Sequence, residues 1–221
     1  MKSPPSLGLN MKHVQKKISE AFFLKTFSPD YIIATESANN SLEKSDYLQS
    51  FVDTKTKQEM PSADDILILD TGNACEGLIR IAITKENNTS IKSTKKIVNE
   101  GDVIISRLRP YLKQVAYIPK GAFELLNIKK LYCSTEFFVF SPKNSNMSIA
   151  WLVPWMLSEN IQDLIQSAAT GGHHPRFDIS LLLKSRVPKN DNLNLISQEI
   201  ETYCYEFIRL QENMRRLIGS F

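Results

Sequence analysis

The chain has 221 residues, of which 42% are hydrophobic and 23% charged. That is an ordinary globular composition, and it excludes a disordered or collagen-like chain. A formal net charge of +3 is too weak alone to argue for a nucleic-acid partner.

The length fits one large domain, or a domain plus an appendage. No stretch approaches the roughly 18–20 apolar residues of a membrane span, and MKSPPSLGLN lacks the apolar core of a secretory signal. Cys75, Cys133 and Cys204 are an odd, widely spaced set. They point to reduced thiols in a cytoplasmic protein. The charge is unevenly spread: residues 30–70 carry nine acids and three lysines, a net of −6, and residues 92–130 carry a net of +6. A randomly clustered solvated surface would give this, and so would a basic face that meets a polyanion beside an acidic face that does not.

In chain order, residues 1–10 are loose, with Pro4, Pro5 and Gly8. Residues 13–25 carry Val14, Ile18, Ala21 and Phe22 at helical spacing and predict a short amphipathic helix. From 31 to 140 the pattern is strand-like. DILILD (65–70), LIRIAI (78–83), DVIISR (102–107), QVAYI (114–118) and EFFVF (136–140) are short, apolar runs separated by turn residues such as Glu100-Gly101-Asp102. Residues 148–169 predict helix, with Pro154 as a kink or the first turn of a second helix, closed by Gly171-Gly172. A polar stretch follows to residue 192.

Leu193, Ile196, Ile200, Tyr203, Phe207, Leu210, Met214 and Leu217 then alternate in steps of three and four. This is the seam of a heptad repeat. Asp191 or Asn192 suits the N-cap and Gly219 the stop. Two arrangements are open: a terminal helix packed on its own domain, or a protruding helix that pairs with a second copy or a partner.

Known catalytic signatures are absent. There is no GxxxxGK[ST] loop, no GxGxxG after a strand, no GxSxG elbow, no Asn/Asp-Pro-Pro-aromatic motif of amino-methyltransferases, and no metal-ligand spacing around His173-His174. Pro29-Asp30 followed by Asp53-Thr54-Lys55 matches the PD…(D/E)xK pattern of metal-dependent nucleases. That pattern wants its acids on neighbouring strands, and SFVDTKTKQEMP is a poor strand. No cofactor and no catalytic residue is expected outside this alternative.

Two loops suit DNA. Arg107, Arg109, Tyr111, Lys113 and Gln114 follow the strand DVIIS, where Pro110 ends regular pairing. Arginine can grip guanine O6/N7, and glutamine can pair with adenine N6/N7. Gly171-Gly172-His173-His174-Pro175-Arg176 combines close backbone approach with imidazole and guanidinium donors. Solvated hairpin and helix-cap readings remain open for these loops. Lys95-Lys96 and Lys129-Lys130 have the character of phosphate contacts. Glu136 and Asp102 are expected to buttress cations, because a carboxylate beside a phosphate is repulsive.

GDVIISRLRPYLKQVAYIP (101–119), CSTEFFVFSP (133–142) and ATGGHHPRFDISLLLKSRVPK (169–189), followed by Gln198-Glu199-Ile200, resemble the target recognition domain of type I restriction–modification specificity subunits. The likeness covers residues 65–218 and finds no motif in 1–64. It implies an α/β recognition domain, a mixed sheet with flanking helices, followed by a long helix. It implies no catalysis: such a subunit reads double-stranded DNA and holds methyltransferase and restriction subunits on the target. Family members usually carry two recognition domains joined by two antiparallel helices, so this chain resembles half a subunit. The expected division is a recognition domain at 1–190, with 1–28 as an N-terminal extension or helix, and a dimerisation or spacer helix at 191–221. A homodimer through that helix would read an inverted repeat. A third reading is a protein-interaction module with no DNA role.

Overall fold

Short apolar runs bounded by turn residues make strands of two to six residues in the middle of the chain. The structure, a computed structural model, describes residues 46–61, 66–81, 93–187 and 191–220. The expected helix at 13–25 lies outside the described residues. Ten strands form among those described: β1 (Val52–Lys55), β2 (Gln58–Glu59), β3 (Ile66–Leu69), β4 (Ala74–Cys75), β5 (Leu78–Ile79), β6 (Lys95–Val98), β7 (Val103–Ser106), β8 (Val115–Tyr117), β9 (Lys130–Cys133) and β10 (Phe137–Pro142). The helices are α1 (Ala122–Leu126), α2 (Leu152–Leu157), α3 (Glu159–Ser167), α4 (Ile179–Leu183) and α5 (Leu193–Ile218).

One sheet has the order β1-β10-β7-β8 and is antiparallel throughout. A second has the order β2-β6-β9-β3, with β3 parallel to β9. β4 and β5 form a small hairpin. The class is mixed α/β with a long C-terminal helix, as expected.

The first sheet is buried on both faces, which is why β7 and β10 read as continuous apolar runs rather than alternating ones. Val103 and Ile105 of β7 join Phe138 and Phe140 of β10 against Leu152, Met156, Leu164 and Leu182 from α2, α3 and α4. Ile104 and Val139 face the opposite way, onto Val98, Leu131 and Cys133 of the second sheet and Ala122 of α1. Among the described residues four connections pass between the sheets: the turn Asn99–Asp102 joins β6 to β7, Ser134–Glu136 joins β9 to β10, residues 56–57 join β1 to β2, and the segment through α1 joins β8 to β9. Asp102 ties the first of these. Its carboxylate accepts from the Asn99 N–H (2.7 Å), from Ser141 Oγ (2.6 Å) and from Lys55 Nζ.

Several expectations are corrected. Residues 52–55 do form a strand: backbone pairing with β10 supplies the ladder, and only Val52 has to be buried at this sheet edge. β6 and β9 go beyond the runs expected from sequence: Lys95 and Lys96 disguise the alternating burial of β6, and Lys130 opens β9 ahead of three buried residues. In LIRIAI only Leu78–Ile79 is strand. Beyond it the side-chain amide of Gln211 takes over the backbone, accepting from the Ile81 N–H (2.9 Å) and donating to the Ile79 carbonyl (2.8 Å). Residues 82–83 lie outside the described residues. The 148–169 helix is two helices, parted at Ser158 (ψ 148°), and Pro154 lies in the first turn of α2. The glycines do not close a helix: α3 ends at Ser167, and Gly171 belongs to the following loop.

α5 spans 26 residues with Asn192 and Gly219 at its ends. Most of it packs on its own domain, and its last turn and a half is largely exposed. Cys204 and Ile208 enter the two cores, the Tyr117 hydroxyl donates to Glu201 (2.8 Å), and the Cys204 thiol lies 3.5 Å from the Gly77 carbonyl. The heptad seam divides. Leu193, Ile196 and Ile200 pack on the domain, and Phe207 is half-buried. Tyr203, Leu210, Met214 and Leu217 stay exposed at 65%, 58%, 53% and 60%.

Candidate nucleic-acid interface

The site grows from the corner Ser134–Glu136 between the two sheets. The Ser134 N–H donates to the Leu69 carbonyl (2.8 Å), and the Glu136 N–H donates to Ser134 Oγ (3.3 Å), so the corner is tied to β3 and to itself. Glu136 then holds the neighbouring loops twice. Its carbonyl accepts from the Arg107 N–H (3.0 Å). Its carboxylate accepts from Arg107 Nε (3.0 Å), Arg176 Nε (3.0 Å) and Arg176 Nη2 (2.8 Å). The hydrogen bonds from Arg176, reinforced by those from Arg107, hold its pKa down to about 2. The same pairing raises the pKa of Arg176. Glu136 is thus the buttress expected from sequence. Asp102 buttresses Lys55 instead of the arginines, because its turn lies at the far end of β7.

The first loop leaves β7 at Ser106, whose hydroxyl donates to the Leu108 carbonyl (3.1 Å). Arg109 and Lys113 adopt left-handed backbone (φ 49° and 50°) on either side of a tight 3-10 turn, Pro110–Leu112. Non-glycine residues rarely take that conformation without being held there. Pro110 is buried, and Tyr111, Leu112 and Lys113 are exposed. The chain rejoins the ladder where the Ser106 N–H donates to the Gln114 carbonyl (2.9 Å).

The second loop is closed by Thr170 and Arg176, which exchange two backbone hydrogen bonds of 2.9 Å. Gly171 has φ 107°, and a Cβ there would lie 3.3 Å from the His174 carbonyl, so the turn needs glycine. Three contacts knit the loops together. The Arg109 N–H donates to the Pro175 carbonyl (2.8 Å), the Phe177 N–H donates to the Arg107 carbonyl (3.2 Å), and Arg109 Nη2 donates to His174 Nδ1 (3.2 Å). Beneath them Phe177 packs edge-on against Phe138, 5.4 Å between ring centres.

Arg107, Arg109, His174 and Arg176 are therefore one cluster. Tyr111 and Lys113 form its exposed tip, His173 lies in the second loop, and Gln114 lies half-buried at the base. Lys95 is on β6 and donates to Ser93 Oγ (2.7 Å). Lys96 is corrected: it is not a surface cation. Its ammonium is buried, donates to the Phe137 carbonyl (2.6 Å) and stands 5.9 Å from the centre of the Phe138 ring, and burial pushes its pKa down. The pairing of β6 with β9 turns it inward, a signal the KK dipeptide does not carry. Lys130 is paired with Glu59 at 3.5 Å.

For the nuclease pattern, Asp30 lies outside the described residues. Asp53 and Lys55 are on β1, but Lys55 is taken up by Asp102. No cluster of three His, Cys, Asp or Glu side chains able to hold a metal occurs among the described residues. Cys75, Cys133 and Cys204 are free thiols, and burial pushes Cys133 and Cys204 up to about 12, so neither is a nucleophile at neutral pH. Among the described residues no helix is long and apolar enough to cross a membrane.

No family model matches the chain, and no curated protein matches it. The fold is similar to a chain of a solved structure described as "Structural basis underlying complex assembly and conformational transition of the type I R-M system", with a TM-score of 0.51 and 20% sequence identity. The match covers 80% of this chain and 45% of that one, so this chain spans about half its length.

Proposed function

We propose that this chain is a non-catalytic, half-length DNA-specificity subunit of a type I-like restriction–modification system. Its role is to direct methyltransferase and restriction subunits to double-stranded DNA. The observation that carries this reading is the loop pair around Glu136. Two arginines are fixed on one carboxylate, and beside them stand His174, Tyr111 and, on strained backbone, Arg109 and Lys113. That is a rigid basic surface on an α/β frame. Coverage of 45% of a type I system chain fits a half-subunit.

In this reading residues 1–190 read DNA from the cytoplasm and α5 carries the partner surface. Tyr203, Phe207, Leu210, Met214 and Leu217 pair with the same residues of a second copy. The two loop faces are then related by a two-fold axis and meet an inverted repeat. Ile196 and Ile200 instead tie the helix to its own domain.

Fluorescence anisotropy with a duplex probe tests the DNA role. Affinity falls steeply as salt rises, because bound phosphates release counterions. Salt-independent binding, or none, contradicts it. Light scattering tests the pairing, comparing the full chain with a Leu210→Glu/Met214→Glu variant. A dimer that becomes a monomer supports it, and a monomer in both contradicts it. Deleting α5 is unsuitable because it would remove Cys204 and Ile208 from the cores.

A further inference from the structure

Resting on the DNA-binding reading above, we infer that Arg109 is the residue of this face that reads a base, and that it takes the two-acceptor major-groove edge of guanine.

The three arginines of the site are not equivalent. Arg107 and Arg176 each spend Nε on Glu136. Arg176 also spends Nη2 on Glu136 and Nη1 on the His174 carbonyl, and Arg107 keeps only its terminal nitrogens for a phosphate. These two arginines and one glutamate are a clasp with a net charge of +1, and they fix the loops rather than read through them.

Arg109 has no carboxylate within ion-pair distance among the described residues. Its backbone is pinned from both sides: its N–H donates to the Pro175 carbonyl (2.8 Å), and its carbonyl accepts from the Leu112 N–H (2.9 Å). The left-handed φ of 49° is a local strain that this pinning maintains. Pinning at the Cα sets the direction in which the side chain leaves the loop. At the other end Nη2 is held by His174 Nδ1 at 3.2 Å. Because the guanidinium can only donate, Nδ1 is the acceptor in this contact. Arg109 Nε is buried and has no hydrogen-bond partner among the described residues. The guanidinium plane is thus set before any ligand arrives; the buried Nε is closed to it, and the donors left over are on Nη1 and Nη2.

A planar pair of donors matches guanine O6 and N7, and it also matches two phosphate oxygens. The neighbours decide between them. Tyr111 and Leu112, the next exposed side chains on the same turn, are 55% and 45% exposed. Exposed apolar groups on the turn that carries Arg109 suit the floor of the major groove, where thymine methyls and base edges lie, better than the hydrated phosphate ridge. Lys113, a mobile point charge at the end of the turn, suits the phosphate.

Selection from a randomised duplex library tests this with the full-length chain, its Arg109→Ala, Arg109→Lys and Arg109→Gly variants, and Lys113→Ala. Glycine relieves the backbone strain, so that variant keeps the test valid if alanine disturbs the fold. The wild-type motif contains a guanine at one position per half-site. All three Arg109 variants lose it and bind the selected duplex ~5- to 150-fold more weakly, while affinity for scrambled duplex stays nearly unchanged. Lysine fails because it cannot reproduce the two-donor plane. Lys113→Ala lowers both affinities by the same factor and keeps the motif. If the Arg109 variants enrich the wild-type motif, or lose selected and scrambled affinity equally, Arg109 does not read a base and this inference is wrong. A wild-type chain that binds no duplex at all overturns the DNA-binding reading together with this one.

Discussion

The arginine loops and the C-terminal helix both turn side chains toward solvent, and they are held in opposite ways. The loops are fixed by polar contacts: four hydrogen bonds link Glu136 to Arg107 and Arg176, one through its carbonyl and three through its carboxylate, and a strained backbone is tied across to Pro175. The helix is fixed by apolar burial on one side, through Cys204 and Ile208, and leaves a second apolar stripe uncovered. Polar fixing is directional and presents charged groups at set angles, as recognition of a polar ligand requires. Apolar fixing leaves the outer stripe free to pack on another apolar surface. A mutation therefore has different consequences in the two regions. On the helix, inner and outer residues should separate cleanly into stability and association. In the loops, the same residues serve both order and binding.

The largest effect should come from the inner side of α5. Ile208→Ala should cost about 2–4 kcal/mol in urea unfolding, because Ile208 is fully enclosed and leaves a cavity. Gly77→Ala should cost about 2–3 kcal/mol. Its φ is 99°, and an added Cβ would lie 2.7 Å from Val153 Cγ1, beneath the helix that Cys204 anchors.

Glu136→Gln should cost less, about 1–2 kcal/mol, since the carboxylate is 23% exposed and partly screened. This cost is pH-dependent. Glu136 is held at about 2 in the folded chain, below the ~4.3 of an unfolded glutamate. Its contribution is present above the unfolded value and is lost as pH falls through about 2. Wild-type and Glu136→Gln stabilities should therefore converge across that acid window, and a constant difference down to the lowest pH would break the account of the clasp. The smallest effect belongs to the outer stripe. Leu210→Glu/Met214→Glu should leave monomer stability within about 0.5 kcal/mol, as exposed sites do. A large loss there would erase the distinction between the two faces of the helix.

Legibility from sequence followed the same division. The helix announced its length through heptad spacing, and it ends at Asn192, one of the two N-cap residues expected, and at Gly219, although Asn192 makes no side-chain cap and Gly219 is not left-handed (φ −70°). The seam pattern did not say which residues would face the domain. Polar residues decide that: Ser197, Gln211 and Glu212 line the inward side, where a count of apolar positions does not place them. The strand core of DVIIS, QVAYI and EFFVF was readable because those runs are apolar and turn-bounded. β1, β6 and β9 were not, because an edge strand and strands that open on lysine carry a weak apolar signal. Arg107, Arg109, His174 and Arg176 were legible as one face, and Glu136 as its buttress. Lys96 was not, since its inward direction depends on the register of β6 against β9.

Backbone amide hydrogen exchange of the full chain, with and without duplex DNA, tests the central claim most directly. The account predicts slowed exchange at residues 107–114 and 171–177, where the loops are clamped between DNA and the Glu136 corner, and none at the sheet-edge strands β1 and β2 around residues 53–59. Slowing confined to other segments, with these two loops unchanged by DNA, would contradict it.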